Sequence, residues 1–471
     1  MGAERTELLM GNTPEASNSE VVSTRQQRIA ELASQKLPDG ITSINHHIDL
    51  TWMLEAWRRT RKDATAGVDG QTAEDYEKDL EGNLQRLIDR AKSGSYKAPP
   101  VKRVYIPKGK DKVRPIGIPT LEDKVLQRAW VMLLEPVVEE EFSDCSYAFR
   151  RGRKALDALE ALQKALWSMG GGTIIDADIE KFFDNVERKR AQEFVRKRVR
   201  DGVFGRIIGK WLRAGVMEDK RLYYPDAGTP QGGVISPMLS NLYLHEVLDS
   251  WWEKEVQPRM RGRSLMVRFA DDFVMAFELD SDARRVMAVL AQRFARFHLR
   301  IHPEKTRVVD FRRPKPGSRG ETFDFAGFRF YWGTSRKGRP TIKWKTISSR
   351  LSQKLVAVAA WCRNHRHDPV AEQRAMLSRK LHGHYNYYGV THNYRSLQRY
   401  YRGVCRSWHK WLNRRSRKRD LTWDAFHRLL TRHPLPLPRV VHSVYRRTGE
   451  SVPLRNRMHK GARTGLWGAW A

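Results

Sequence analysis

The sequence predicts an α+β protein in which antiparallel strands are followed by a helical region. Residues 99–119 alternate in the manner of a β-hairpin, and residues 265–277 place apolar, β-prone residues on both sides of a polar turn. Residues 394–411 instead space apolar side chains by three and four, which indicates an amphipathic helix. The chain has 471 residues and is 40% hydrophobic, so it can form two or three domains with separate cores.

The bulk charge of the chain indicates its partner. A formal net charge of +33 at pH 7 requires a polyanion nearby, and nucleic acid is the expected one. A membrane surface is the competing interpretation, but we find no run of about 18 apolar residues and no secretory signal. The cysteines, Cys145, Cys362 and Cys405, form no CxxC pair. This argues against a zinc module and leads us to expect a reducing, cytoplasmic compartment without membrane association.

The hairpin at 265–277 carries two adjacent carboxylates, Asp271 and Asp272, at its turn. Side chains of like charge resist ionising together, and a bound Mg²⁺ ion would compensate for their repulsion. The pair is therefore a candidate metal site. Most isolated Asp-Asp pairs are solvated turns, so the prediction depends on a further carboxylate nearby.

A second acidic segment supports the metal site. Residues 173–179 have the apolar character of a short buried strand, in which Asp176 and Asp178 point to the same face. Because a buried strand rarely carries a carboxylate without a partner, Asp178 is predicted to join Asp271 and Asp272. Such a cluster can hold two Mg²⁺ ions roughly 3.5–4 Å apart, as nucleotidyl transfer requires. A strand-end cap is the alternative for Asp178 and the preferred interpretation of Asp176.

Further elements follow along the chain. Helices are predicted over residues 48–57, 76–88, 121–142, 239–248 and 288–299. The hairpin at 99–119 places Lys108, Lys112 and Arg114 near its turn, where an Arg fork and a Lys charge can grip a triphosphate. A solvated hairpin is the alternative for any one lysine. The segment at 228–233 lacks the ending of a P-loop, but its glycines allow close backbone approach to a ligand.

Several motifs together resemble the reverse transcriptases, and specifically the reverse transcriptase/maturases encoded by bacterial group II introns. They are the ADD hairpin, a DxxxxFD segment that begins at Asp178, and GTPQGGVISPMLSN at 228–241. The resemblance extends in the family's order to AGVDG, RPIGIPT, SYAFR and a helical segment at 385–430. Ordered blocks of this length are a far stronger signal than any single motif.

The resemblance implies a right-hand polymerase fold, with fingers and palm built on antiparallel sheet and followed by a helical thumb. The implied divisions are a partly disordered tail at 1–45, fingers with an N-terminal extension at 46–170, a palm at 171–335, a thumb or maturase-specific domain at 336–430 and a basic tail at 431–471. Many such proteins end in an HNH endonuclease with cysteine pairs. Because this sequence has no CxxC pair, we expect it to lack that domain.

The resemblance also implies roles for individual residues in Mg²⁺-dependent, RNA-directed DNA synthesis. Two ions are expected, and Mn²⁺ can substitute. The implied metal ligands are Asp178, Asp271, Asp272 and the backbone carbonyl of Ile179, and the implied general acid for pyrophosphate departure is Lys305. The implied contacts with the incoming dNTP are Lys108, with Lys112 as its alternative, Arg114, Phe183 and Gln231. Phe183 would lie under the sugar and exclude a 2′-hydroxyl, whereas its neighbour Phe182 is interpreted as core.

Other residues are assigned to nucleic acid. The implied primer and template contacts are Phe269, where Tyr is common before ADD, Gly327 in the FAGF turn, and Arg150. Eight Lys or Arg residues and no acid lie between residues 402 and 419, on the predicted helix of the maturase-specific domain. The RNA-binding residues proposed there are Arg402, Arg406, Lys410, Arg414 and Arg415. The aromatic residues of the opposite seam, such as Trp408 and Trp411, are interpreted as core.

The expected partners are a group II intron RNA, an RNA template, a DNA primer or target, and dNTPs. The main hypothesis is a polymerase that assists intron splicing and copies RNA into DNA during intron mobility. We expect it to be associated with the nucleoid or with a ribonucleoprotein. One alternative is an RNA-binding splicing cofactor whose polymerase activity is secondary, and another is an intron-independent reverse transcriptase in defence or repair. The sequence predicts no oligomeric state.

Overall fold

The computed structural model describes residues 14–36, 39–107, 113–219, 221–224, 228, 232–335, 337–415 and 421–443. The chain divides into two compact units, Met1–Ile347 and Ser348–Ala471. Lys108, Lys112 and Gln231 lie outside the described residues. Most of the predicted basic tail, from residue 444 onward, also lies outside them.

Both units are rich in helices. In the first unit they are α1 (Pro14–Lys36), α2 (Leu50–Arg59), α3 (Ala73–Glu77), α4 (Leu80–Ser93), α5 (Leu121–Glu139), α6 (Ala155–Ser168), α7 (Phe182–Asn185), α8 (Arg188–Arg198), α9 (Gly202–Leu212), α10 (Ser236–Leu244) and α11 (Asp280–Ala295). In the second unit they are α12 (Ser348–Asn364), α13 (Val370–Tyr388), α14 (Tyr394–Asn413) and α15 (Trp423–Arg432). α10 continues into π-helical turns at His245–Asp249 and Trp252–Val256. Across the described part of the chain, no helix is both long and apolar enough to span a bilayer.

The strands belong to the first unit. They are β1 (Val101–Pro107), β2 (Val113–Ile118), β3 (Thr173–Asp178), β4 (Val216–Glu218), β5 (Arg221–Tyr223), β6 (Ser264–Phe269), β7 (Asp272–Phe277), β8 (Arg307–Asp310), β9 (Phe323–Phe325), β10 (Phe328–Thr334) and β11 (Pro340–Thr346). The strand orders of the sheets are β2-β1-β4-β5, β6-β7-β3-β8 and β11-β10-β9. Apart from the parallel β1–β4 pair, the named strands pair antiparallel. The α+β class and the two predicted hairpins are confirmed.

In the sheet β6-β7-β3-β8, the central strands β7 and β3 are covered on both faces. In β7 every residue from Phe273 to Phe277 is buried, so the strand is a continuous apolar run rather than an alternating one. In β3, Ile174 and Ile175 are both buried although they point to opposite faces. Because neither face is open, the edge at the end of these strands is where polar side chains of β3 and β7 can reach solvent.

The region predicted as an N-terminal tail is largely a packed helix. In α1, Val22 and Ile29 are buried in the main core. The side-chain amide of Gln26, also buried, donates to the carbonyl oxygen of Met132 in α5 over 2.8 Å. The few apolar residues that face the core are widely spaced within a polar sequence, and this spacing concealed the extent of the helix into which the tail was expected to lead.

One face of α14 is buried in the core of the second unit. The buried residues of this helix are Leu397, Tyr400, Val404, Cys405, Trp408 and Leu412. The predicted helix is therefore confirmed, but its seam is rotated from the predicted one. Tyr394 is 37% exposed, and Trp411 is only half-buried. Their neighbours Tyr400 and Leu412 take the core positions because packing partners, rather than residue size, decide which side of the helix is covered.

The helical unit also begins later than predicted. The first helix of the second unit starts at Ser348, whereas the implied thumb started at residue 336. Strand β11 (Pro340–Thr346) comes after this implied start, yet it pairs along its whole length with β10 of the first unit. The other implied limits of fingers, palm and thumb stay predictions.

We expect Trp408→Ala to destabilise the second unit. Trp408 is fully buried and its indole nitrogen donates to Gln373 Oε1 over 2.9 Å, so the change would leave a cavity and an unpaired buried oxygen. The expected loss is about 3–5 kcal/mol in the free energy of unfolding, detected as faster amide hydrogen exchange in α14. Trp411→Ala, at a half-buried position of the same helix, is the control and should cost far less. Equal effects of the two changes would contradict the assigned seam.

Candidate active site

Carboxylates from distant parts of the chain meet at one end of the central sheet. Asp178 is the last residue of β3 and Asp272 the first of β7, and the antiparallel register sets them directly opposite each other. Directly opposite residues project from the same face of a sheet. Asp271 precedes Asp272 in the β6–β7 turn. Of the three carboxylates that the sequence assigned to a metal site, the structure thus sets two directly opposite each other and the third in the adjoining turn.

The β6–β7 turn is unusually tight. It consists of Ala270 and Asp271, because Phe269 pairs directly with Asp272. Ala270 has a φ of +60°, in the left-handed region that favours glycine. Two-residue hairpin turns require positive φ, and a non-glycine residue adopts it at a cost. The surrounding structure must therefore hold Ala270 in place.

A buried ion pair holds this turn. Arg268 of β6 and Asp249 have fully buried side chains, and Arg268 Nε donates to Asp249 Oδ1 over 2.7 Å. Arg268 Nη1 donates to the carbonyl oxygen of Ala270 and to Asn241 Oδ1, each over 3.0 Å. The guanidinium therefore ties the strained turn to α10 and to the π-helical extension of that helix.

The π-helical turn places on one side of the helix the two residues that accept hydrogen bonds from the Arg268 side chain. Asn241 and Asp249 are eight positions apart, which in a regular α-helix would separate them by about 80° around the axis. The turn at His245–Asp249 accommodates an extra residue, so the eight positions cover about two turns. Both side chains consequently reach the same guanidinium.

The same arginine fixes a third segment. The backbone N–H of Arg268 donates to the carbonyl of Cys145 over 2.7 Å, and the N–H of Tyr147 donates to the carbonyl of Arg268 over 3.0 Å. Asn241 Nδ2 donates to the carbonyl of Ala148 over 2.6 Å. The SYAFR, SPMLSN and ADD motifs therefore meet around one buried cation.

Sequence reasoning missed Arg268 and Asp249. The available signal was an arginine inside an otherwise apolar strand, since a buried cation requires a buried counter-charge. The sequence did not indicate which of its many acids would supply that charge. Asp249 lies on a helix rather than beside the motif, and the pairing becomes visible only when α10 and β6 pack together.

Asp272 is strongly affected by its surroundings. Burial, together with the negative charges of Asp176, Asp271 and Asp178, raises the pKa of Asp272 to about 7. A hydrogen bond from the N–H of Ala326 to Asp272 Oδ2, 3.2 Å long, opposes this rise. The site thus concentrates negative charge without full compensation. A divalent cation would relieve the repulsion and lower this pKa.

The donor set fits a hard divalent cation, which prefers carboxylate oxygens. Asp178 and the neighbouring Asp176 also have basic partners. Lys305 forms an ion pair with Asp178, and Arg307 pairs with Asp176 over 3.1 Å. Among the residues that the structure describes, no three Asp, Glu, His or Cys side chains already converge as a complete metal site. Binding of a cation by Asp178 therefore requires the ammonium of Lys305 to move aside.

The segment that carries Lys305 is fixed against the end of β3. His302 N–H donates to the carbonyl of Asp178 over 2.8 Å, and a second backbone hydrogen bond closes the bridge on the other side of Ile179. Such a bridge leaves the backbone groups of Ile179 itself directed away from this neighbour. Lys305 was predicted beside the dNTP phosphates, and the structure places its ammonium on Asp178 instead.

The glycine-rich segment is anchored at both of its described ends. Gly228 lies against α7, where an added Cβ would stand 2.8 Å from the carbonyl oxygen of Phe183. Gly232, with a φ of +113°, lies against β2, where a Cβ would stand 2.3 Å from the carbonyl oxygen of Gly117. Arg114 is exposed on the same strand. The two described ends of this segment therefore contact Phe183 and the strand that carries Arg114, and both of these residues were predicted to bind the nucleotide.

The two adjacent phenylalanines of α7 occupy different environments. Phe182 is 2% exposed and belongs to the core. Phe183 is half-buried, and its ring meets that of Phe182 edge-on with 5.4 Å between centroids. Phe183 therefore keeps ring surface that a ligand can contact, as its predicted role requires.

The FAGF turn contacts the carboxylate cluster directly. Ala326 and Gly327 connect β9 and β10 with φ values of +46° and +84°, as in a type I′ turn. Because Ala326 N–H donates to Asp272, Gly327 lies beside the carboxylates. Phe269 is half-buried and pairs directly with Asp272. Both residues predicted to contact the primer thus adjoin the same carboxylate.

Arg150 has a structural position, contrary to its prediction as a primer or template contact. Its side chain is 3% exposed and pairs with Glu139 over 2.7 Å. Its Nη1 also donates to the carbonyl oxygens of Ser143 and Ser146, over 2.6 and 2.9 Å. The guanidinium joins the end of α5 to the SYAFR segment. A run of arginines in a sequence does not reveal which member has an internal acid, so the prediction failed.

The predicted RNA-binding residues lie on and just after α14. Three are exposed, Arg406, Lys410 and Arg414, and two are half-buried, Arg402 and Arg415. Lys410 and Arg414 also lie over the ring of Trp411, at 5.5 and 5.3 Å from its centroid. The exposed residues recur every four positions, and such a row of cations can follow a phosphate backbone.

Comparison with known proteins gives a family match. Residues 106–330 match the family described as reverse transcriptase (RNA-dependent DNA polymerase). The matched region begins in β1 and ends in β10, and so contains all three carboxylates. Protein YkfC of Escherichia coli (strain K12) is 33% identical over 326 residues, which make up 61% of this chain and 82% of that protein.

Proteins named for introns are also similar. Group II intron-encoded protein LtrA of Lactococcus lactis subsp. cremoris is 31% identical over 226 residues, 47% of this chain and 37% of that protein. Nuclear intron maturase 2, mitochondrial, of Arabidopsis thaliana is 29% identical over 218 residues, 36% of this chain and 30% of that protein. The chain therefore spans about a third of the length of each of these two relatives.

We expect Mg²⁺ to stabilise the protein in a pH-dependent manner. The folded-state pKa of Asp272, about 7, exceeds the usual Asp value of roughly 4, so without a cation stability falls as pH rises from about 4 through about 7. Added Mg²⁺ should raise the melting temperature more at about pH 8, where Asp272 is ionised, than at about pH 5.5, where it is protonated.

Two variants check the assignment to this carboxylate. Asp272→Asn should remove most of the pH dependence of the Mg²⁺ effect, since the amide carries no charge at either pH. Asp310→Asn changes a carboxylate of β8 in the same sheet and should preserve the pH dependence of the Mg²⁺ effect. A shift in melting temperature that is the same at both pH values would contradict the role of Asp272.

Proposed function

This chain belongs to the reverse transcriptase family, and we propose that it uses Mg²⁺ to copy RNA into DNA in the service of a group II intron. The observation that carries the proposal is the register of β3 and β7, which sets Asp178 opposite Asp272 with Asp271 in the adjoining turn. An otherwise apolar sheet thus ends in carboxylates, and the raised pKa of Asp272 is typical of a functional site.

The reaction joins the 3′-oxygen of a primer to the α-phosphorus of a dNTP and breaks the bond to pyrophosphate. Two bound Mg²⁺ ions would supply activation of the attacking hydroxyl and charge stabilisation of the leaving group. Asp178, Asp271 and Asp272 would hold these ions, with the carbonyl of Ile179 as a further ligand. Mn²⁺ prefers the same oxygen donors and would substitute.

Lys305 has two roles in this proposal. Before substrate binds, its ammonium neutralises Asp178 and so reduces the repulsion within the carboxylate cluster. The side chain is 56% exposed and can turn toward solvent when a cation replaces it. From there it can donate a proton to the departing pyrophosphate.

The remaining contacts surround the carboxylates. Arg114 and Lys108 would bind the triphosphate, for which an Arg fork is well suited. Phe183 would lie under the sugar, and Gln231 would bind the nucleotide. Gly327 would let the primer end approach the backbone of the FAGF turn.

Asp272→Ala should abolish primer extension on an RNA template. Loss of a metal-binding carboxylate removes several kcal/mol of transition-state stabilisation, so kcat should fall by about 10³-fold or more. Affinity for RNA should stay within about twofold of wild type, because the basic surface is unchanged.

The control for this prediction is Asp310→Ala. Asp310 lies in the same sheet but pairs with Arg312, and its loss should leave extension unchanged. Primer extension would be followed on a gel and RNA affinity by filter binding. Full extension by the Asp272 variant would rule out the metal assignment.

A link to intron RNA is favoured by two observations. Relatives of this chain are named as a group II intron-encoded protein and as an intron maturase. In addition, α14 presents exposed cations at one-turn spacing, which suits a structured RNA. The proposed partners are therefore an intron RNA, an RNA template, a DNA primer or target, and dNTPs. A splicing cofactor with secondary polymerase activity is the second candidate function.

The two candidates differ in measurable ways. Purification of the protein from its host, followed by sequencing of the bound RNA, should return one dominant intron if the chain is a maturase. A diffuse mixture, or no RNA, would favour an intron-independent polymerase. Splicing of that intron should then be compared between wild type and Asp272→Ala. Retained splicing with lost extension would separate the two activities on one chain.

A further inference from the structure

The first unit carries a cationic groove that is separate from the carboxylate site. Helices α8 and α9 and the turn between them enclose a volume of about 550 Å³. Four arginines line it, Arg196, Arg200, Arg206 and Arg213. None of the residues assigned above to metal, nucleotide or primer lines this groove. We refer to it as the α8–α9 groove.

The four arginines are exposed, and within the described part of the chain none of them forms an ion pair with an acid. Neighbouring cations of α8 behave differently. Lys197 pairs with Glu246 over 2.9 Å, and the buried Arg198 pairs with Glu141. Lys197 and Arg198 are therefore neutralised by acids from other elements, whereas the four arginines of the groove are not. Like charges gathered in this way repel one another unless a polyanion lies against them.

The acid in the groove does not offset this charge. Asp201 is 4% exposed, and its carboxylate accepts hydrogen bonds from the N–H groups of Ile44, Val203 and Phe204, each 2.9 to 3.0 Å long. Burial alone would raise the pKa of Asp201, but hydrogen bonds from backbone and side-chain groups outweigh it and hold the pKa below its usual value. The carboxylate is thus directed into the protein, and the rim of the groove remains positive.

The groove suits a phosphate backbone rather than unpaired bases. At Gly202 and Gly205 an added Cβ would meet no atom within 4 Å, so the surface of α9 is open to close approach. The lining contains no aromatic side chain on which an unpaired base could stack. Contacts with phosphate carry little sequence information and are the main contacts made to base-paired RNA.

We propose that the α8–α9 groove binds the phosphate backbone of base-paired RNA and docks a structured RNA outside the polymerase site. The choice of RNA over DNA rests on the proposed function, in which a structured RNA accompanies the enzyme. The phosphate chemistry rests on the arginines and the open glycine surface alone. The groove therefore supplies affinity for the RNA without taking part in nucleotidyl transfer.

The test uses the full chain and a blunt RNA duplex of about 20 base pairs, followed by fluorescence anisotropy. The double variant Arg200→Gln/Arg213→Gln should raise the Kd at least about tenfold at about 150 mM salt. The slope of log K against log salt should fall by about two, because two phosphate contacts are lost. Primer extension on a short, pre-annealed template should keep its kcat.

The matched control is Arg61→Gln/Arg284→Gln. It removes the same charge from exposed arginines that pair with Asp63 and Asp280, and it should change the Kd by less than about twofold. A second test variant, Gly205→Glu, adds negative charge to the groove without removing any contact, and it should also weaken duplex binding. If the double variant misfolds, weaker binding by Gly205→Glu still tests the groove independently.

The outcomes separate this inference from the proposed function. Asp272→Ala should bind the RNA duplex like wild type, so a failure of polymerase activity would leave the groove assignment standing. An unchanged Kd in both groove variants would contradict RNA binding in the α8–α9 groove. An equal rise in Kd in the control variant would show that binding depends only on the net charge of the protein, and it would also contradict a site in the groove. Tighter binding of a DNA duplex of the same sequence would overturn the choice of RNA.

Discussion

The guanidinium of Arg268, buried against Asp249, is the interaction on which the carboxylate site depends. A charge inside a protein is tolerated only when a counter-charge and further acceptors surround it, so the elements that provide them are fixed in place. Here they are the helix that carries Asp249 and Asn241, and the carbonyl of Ala270. That carbonyl belongs to the turn that presents Asp271. The geometry of the site therefore follows from satisfying one buried cation, and the strain at Ala270 is held by the same contacts.

The parts of the fold that the sequence predicted are those with a strong local apolar pattern. The β6–β7 hairpin and strand β3 are short runs of apolar, β-prone residues, helix α14 spaces its apolar residues by three and four, and each of these elements is present. The approach of Asp178 to Asp272 was expected because a carboxylate on a buried strand needs a partner. The extent of helix α1 was not predicted, because its buried residues are sparse in a polar sequence.

What the sequence could not predict are contacts whose partners come from elsewhere in the chain. Arg150 and Arg268 both lie next to motifs, and both are buried by pairing with acids 11 and 19 positions away on helices. Nothing local distinguishes them from an exposed Arg114. The position of Lys305 on Asp178 is likewise set by the bridge between His302 and the end of β3, which is a tertiary contact.

The π-helical turn at His245–Asp249 has a consequence for the way this chain can change length during evolution. An insertion in a regular α-helix rotates every later residue by about 100°, which would carry Asp249 away from Arg268. A π turn absorbs the extra residue where it occurs. If one residue of this turn were deleted, Asn241 and Asp249 would stand seven apart and still share a face of an ordinary helix. The loss of a single residue at this place thus leaves Asn241 and Asp249 on the same face of the helix, and the carboxylate turn keeps both of its anchors.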